Sequence, residues 1–146
     1  MGVTDKKNNN SLFAVIFAVV VIAAAAIFVV TLMKGTKEEA EIMITDGVLE
    51  ITGQYGVSSS LEDIEEVRLQ EEIPEIGRKV NGAGLGSIRK GDYEVEGMGT
   101  CRLFLHAESG PYLYIKTEGK YLIVNYADAQ KTEDAYERLQ DQLSSL

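Results

Sequence analysis

Hydrophobic positions along this chain fall into two unlike patterns. From Leu12 to Met33 the run LFAVIFAVVVIAAAAIFVVTLM contains no charged residue, no Pro and no Gly. A helix of about 22 residues at ~1.5 Å each is roughly 33 Å long, enough to cross a hydrocarbon core of ~30 Å. Its β-branched residues do not oppose this, because a backbone in lipid can satisfy its hydrogen bonds only internally. A cleaved signal peptide is the rival reading, with Lys6 and Lys7 as its basic region. Such peptides carry a shorter apolar core of ~7 to 15 residues and end in a small-x-small site, whereas this run ends in Thr31-Leu32-Met33-Lys34. The pattern therefore predicts a polar tail over 1–11 and a transmembrane helix over 12–33 that meets the lipid bilayer.

After Met33 the pattern shortens to a period of two. Residues 34–40, KGTKEEA, read as a polar and flexible stalk. Asp46-Gly47 is a turn signal ahead of Val48 to Thr52, and Tyr55 to Ser60 follows as another strand. Val67 and Leu69 share one face, as do Tyr93 and Val95, while Leu103 and Leu105 are expected to point inward from the next strand. Tyr112 to Thr117 and Lys120 to Asn125, joined by Glu118-Gly119, form a hairpin. Between Gly77 and Gly91 the glycine-rich text GRKVNGAGLGSIRKG predicts a long loop or irregular crossover. From Asp128, a candidate N-cap, the period changes to that of a helix, with Tyr136, Leu139, Leu143 and Leu146 on one stripe. Seven short strands and a closing helix over 41–146 describe a mainly-β domain, an orthogonal sandwich or open barrel capped by a C-terminal α-helix.

Composition narrows the chemistry. About 110 residues remain for the folded body, the size of one domain. The chain carries a net charge of −9, and Asp5, Lys6 and Lys7 are the only charged side chains before Lys34, so the excess of acid lies in the domain. That balance argues against nucleic acid as a partner and against flat adsorption on anionic lipid. A single cysteine, Cys101, can make no internal disulfide. Cys101 and His106 are five positions apart on one expected strand and so face opposite ways, which leaves no nucleophile-base pair and no metal ligand set. No cofactor and no catalysis are expected. Basic residues flank the apolar run equally, Lys6 and Lys7 against Lys34 and Lys37. The free amino terminus tips the expected orientation to tail inside and domain extracytoplasmic.

Two groups of residues remain as candidate binding chemistry. Arg78, Lys79, Arg89 and Lys90, with Asn81 and the glycines between them, concentrate cations in an acidic domain. They form either a nest for an anion or lipid headgroup, or a loop whose cations neutralise Glu71, Glu72, Glu75, Asp92, Glu94 and Glu96. Tyr112, Tyr114 and Tyr121 fall on adjoining strands and form either an aromatic ligand patch or core packing.

Several of these segments also resemble the bacterial pleckstrin-homology-like domains of membrane-anchored proteins. The likeness rests on RKVNG at Arg78 to Gly82, on Arg89-Lys90-Gly91 ahead of Tyr93, on Gly97-Met98-Gly99, and on YLIVNYADAQKTEDAYERL leading into the helix. It covers roughly Glu41 to Leu143. The resemblance implies a pleckstrin-homology-like fold, a bacterial cell-membrane location and no catalytic residues. The expected function is a membrane-anchored, non-enzymatic binding or scaffold module for an unknown protein partner, with an anion or headgroup sensor built on 77–91 as the alternative.

Overall fold

The structure, a computed structural model, describes residues 5–146, with side chains from residue 9; the first residues of the expected tail and the Lys6 and Lys7 side chains lie outside the described residues. Helix α1 spans Asp5–Lys37, longer at both ends than the apolar run. The stretch Asn9–Lys37 is long and apolar enough to cross a membrane, and none of its most apolar window is buried against protein. The chain divides into two compact units, Met1–Lys34 and Gly35–Leu146.

The second unit is mainly β, with nine strands where seven were expected. Strands β1 (Ile42–Thr45), β2 (Val48–Ile51) and β3 (Val57–Ser60) form an antiparallel sheet in that order. The turn signal at Asp46-Gly47 acts as expected, because both residues take positive φ (52° and 77°), the mirror-image turn that joins tightly paired strands. A single 3-10 turn, Leu61–Asp63, leads into the larger sheet. That sheet contains β4 (Ile64–Gln70), β5 (Ile76–Leu85), β6 (Ile88–Val95), β7 (Gly99–Leu105), β8 (Tyr112–Thr117) and β9 (Lys120–Val124), in the order β4-β8-β9-β7-β6-β5. All its pairings are antiparallel except β7 with β9.

The glycine-rich stretch is therefore no loop: it is the β5-β6 hairpin, turning at Gly86-Ser87. Glycine serves close approach there, since a Cβ on Gly91 would strike the Asn81 carbonyl oxygen and one on Gly82 would strike that of Lys90. The stalk reading also needs correction. Ala40 and Ile42 belong to the core and Thr36 is buried, so residues 35–40 form a strap packed onto the domain rather than a free spacer.

The central strands β7, β8 and β9 of the large sheet are buried on both faces, which explains why the end of β7 reads as a nearly continuous apolar run. Leu103 and Leu105 join Cys101, Tyr93, Val95, Tyr112, Tyr114 and Ile123 on one face. Phe104 joins Leu113, Ile115, Leu122 and Val124 against the small sheet on the other. Helix α2 (Ala129–Ser144) covers this second cluster with Ala135 and Leu139, and its N-cap is Asp128, whose carboxylate accepts from the Gln130 N–H at 3.0 Å. Its polar side chains also reach two sheet edges: Arg138 donates to the Ile42 carbonyl and Gln140 to that of Val67, both at 3.4 Å.

Leu139 is fully buried beneath α2. Leu139→Ala is expected to cost about 2 to 5 kcal/mol, read as a shift in urea unfolding; a loss under about 0.5 kcal/mol would mean that α2 does not close the core.

Candidate functional site

The basic residues of the β5-β6 hairpin do not converge. Arg78 is exposed and pairs with Glu94 on the neighbouring strand at 2.8 Å, which lifts its already high pKa. Lys79 and Asn81 are exposed on β5. Arg89 folds back on its own turn, donating to the carbonyls of Gly86 and Ile88. Lys90 is 1% exposed. Of the six acids considered as neutralising partners for these cations, only Glu94 holds one in an ion pair among the described residues.

The Lys90 ammonium has a different task. It donates to the carbonyl oxygens of Gly35, at 3.0 Å, and of Glu38. These carbonyls lie where the last turn of α1 gives way to the strap, so they lack helical partners and carry the negative end of the helix dipole. Burial pushes the Lys90 pKa down, and the neighbouring carboxylates of Glu38 and Glu39 oppose that push. Glu39 adds a second fastening, accepting from the Ala127 N–H at 3.0 Å and pairing with Lys131 at 3.5 Å. Lys131 in turn stands 4.3 Å from the ring of Tyr126, whose hydroxyl burial pushes up to about 12. His106 feels the same charges: burial lowers its pKa first, then Lys90, and its Nε2 is buried without a hydrogen-bond partner.

The tyrosines are structural. Tyr112 and Tyr114 are buried, and their hydroxyls donate to the carbonyls of Glu108 (2.9 Å) and Glu72 (3.0 Å). Tyr121 meets Tyr114 edge to face at 6.3 Å and donates to Glu66, while the Arg68 guanidinium lies 4.9 Å from the Tyr114 ring. Tyr112 also lines a shallow concavity with Gly77 and Arg89.

A concavity of about 300 Å³ lies elsewhere, between β3 and the large sheet. Its floor is an ion pair between β6 and β7: Arg102 donates from Nε and Nη2 to the two carboxylate oxygens of Asp92, both at 2.9 Å. This two-point geometry holds the Asp92 pKa below the usual carboxylate range. Ser59 on β3 and Thr117 on β8 close one end with hydroxyls 2.7 Å apart, and Lys120 and Glu118 stand at its rim. Sequence reasoning missed this site. Asp92 and Arg102 are directly opposed in the β6-β7 register, and the turn at Gly97–Gly99 was the signal from which that register could be counted.

Catalytic chemistry gains no support from Cys101, which is fully buried, with its thiol pushed up by burial. Among the described residues no cluster of three His, Cys, Asp or Glu side chains could hold a metal ion.

Two variants probe these surroundings. Lys90→Met leaves the Gly35 and Glu38 carbonyls without their donor, so amides of residues 36–41 are expected to exchange hydrogen faster and stability to fall by about 1 to 3 kcal/mol. His106 has a folded pKa below its ordinary 6.5, so the unfolded chain takes up its proton first. Stability should therefore fall as pH drops below 6.5 towards the folded value. His106→Gln should flatten that part of a stability-versus-pH curve while leaving the acid limb below the ordinary Asp92 value of 3.8 in place.

No family model, no curated protein and no solved structure matches this chain; the arrangement of its own residues is the basis for assigning a function.

Proposed function

We propose that the chain is a membrane-anchored, non-enzymatic binding or scaffold module with a pleckstrin-homology-like domain, recognising protein partners at the membrane. The observation that carries this is the exposed apolar surface of α1. A helix whose long apolar central stretch is nowhere buried has no protein to cover it among the described residues, and a bilayer supplies that burial. The remaining unit supports the rest of the reading: two sheets and a closing helix, a neutral ion pair lining the cleft beside β3, and an inaccessible thiol. Anchoring raises the local concentration of such a module for other membrane components without any new contact. The headgroup-sensor alternative loses its basis, because Lys90 is committed to internal carbonyls and Arg78 to Glu94.

The anchor is tested by extraction and by amino-terminal sequencing. The full chain should stay in the membrane pellet in alkaline carbonate and begin at its own first residues, while the fragment Gly35–Leu146 should be soluble and folded. Release by carbonate, or a mature terminus beyond α1, would sink the anchor. Replacing Arg78, Lys79 and Arg89 by Gln should leave the melting temperature within a few degrees and create no change in liposome binding.

A further inference from the structure

A strand at the edge of a sheet exposes unpaired N–H and C=O groups, and proteins usually blunt such edges with charge, proline, bulges or a covering element. This domain has two sheets and so four edges, formed by β1, β3, β4 and β5. Side chains of α2 reach β1 at the Ile42 carbonyl and β4 at the Val67 carbonyl. β5 carries Arg78 and Lys79 and two register shifts. β3, with the sequence VSSS, has no charge, no proline and no bulge.

The register shows what β3 offers. The Thr52 N–H bonds to the Glu41 carbonyl and the Leu61 N–H to that of Gly47, which fixes the alternation: Val57 and Ser59 pair with Ile51 and Leu49 of β2. The N–H and C=O of Ser58 therefore point away from β2, towards the cleft that Ser58 lines. Across that cleft stands Val80. It has no partner in the β5-β6 ladder, since Lys79 opposes Tyr93 and Asn81 opposes Asp92; it is the bulge residue, and its side chain is 51% exposed and lines the same cleft. Bulges commonly re-aim one side chain beside a binding site.

We propose that this cleft takes an extended, uncharged polypeptide segment of a partner protein, which adds to β3 as a fourth strand and packs its side chains on Val57 and Val80. The inference rests on the protein-binding reading above and names the class of partner. Alternating free donors and acceptors along a strand edge are complemented by another backbone. The four residues of β3 give an edge of ~13 Å at ~3.3 Å per residue, room for three or four partner residues. The charge pattern selects among segments. In a chain of net charge −9 the cleft is balanced, with Asp92 paired to Arg102, and Glu118 and Lys120 both at the rim. A charged segment would meet no uncompensated opposite charge there, and would lose hydration on entry. Arg102 keeps Nη1 free of Asp92 and only 3.5 Å from the Tyr55 carbonyl, so it can turn to a carbonyl of the incoming strand.

The test uses the full-length chain in lipid nanodiscs, panned against a displayed library of short random segments, with Ser58→Pro and Val80→Asp as parallel targets. Ser58→Pro removes the outward N–H and leaves the β2 ladder intact; Val80→Asp changes only a half-exposed side chain, so it reports even if the proline variant fails to fold. Enriched segments are expected to be uncharged and β-prone, to bind each variant about tenfold more weakly than the parent, and to lose binding when alternate peptide nitrogens are methylated. Segments that bind both variants as tightly as the parent would overturn the cleft while leaving the protein-binding module standing. Failure to enrich any segment over empty nanodiscs would overturn both.

Discussion

An ammonium group taken out of water must be given oxygen atoms, and much of this domain follows from where Lys90 finds them. Its stem is enclosed by the sheet and its head reaches the carbonyls of Gly35 and Glu38. Those atoms are available because a helix ends there, so one contact satisfies both a buried cation and orphaned acceptors. Once the strap is fastened, Glu39 meets Lys131, Ala40 enters the core, and β1 begins at the register that places Ile42 under α2. The domain thus starts at the strap, several residues before its first strand.

The same logic of unsatisfied groups governs the sheets. Two twisted sheets joined at a corner leave edges, and a single amphipathic helix can cover only one gap between them. Helix α2 does so with an apolar stripe beneath and Arg138 and Gln140 at its margins. The cleft beside β3 is floored by Asp92 and Arg102, and among the described residues no helix covers that edge. A covered edge at one gap and an uncovered edge at the other are two results of one geometric shortage.

Features governed by neighbours in sequence were legible. The uncharged run announced α1, Asp46-Gly47 and Glu118-Gly119 announced tight hairpins, and the stripe through Tyr136, Leu139 and Leu143 announced α2. What escaped was set by partners distant in the chain. Glycines 77 to 91 look like a loop until one sees that Gly82 and Gly91 lie back to back, where any side chain would collide. KGTKEEA looks like a spacer until Lys90, more than fifty positions away, is placed against it. Lys90 itself was grouped with Arg78, Lys79 and Arg89 by proximity in sequence, yet the pleat and a tight turn send the four to different surroundings. The Asp92-Arg102 pair was within reach of a register count but not of composition.

One feature of the large sheet bears on how it would come apart. β9 lies between β8, its hairpin partner, and β7, to which it runs parallel with only three paired positions, against seven between β6 and β7. Just beyond that short ladder the buried Asn125 acts as a rivet, its amide holding the backbones of His106, Ala107 and Ser109. The sheet is thus one sequence-local meander, β5-β6-β7, welded along one brief line to the β8-β9 hairpin, which itself pairs with the sequence-distant β4. Under a pulling force, or in a fluctuation large enough to admit solvent, the fracture would run along β7 and β9, and the meander β5-β6-β7 and the hairpin β8-β9 could re-form locally before β4 returns to β8 and the weld is made again.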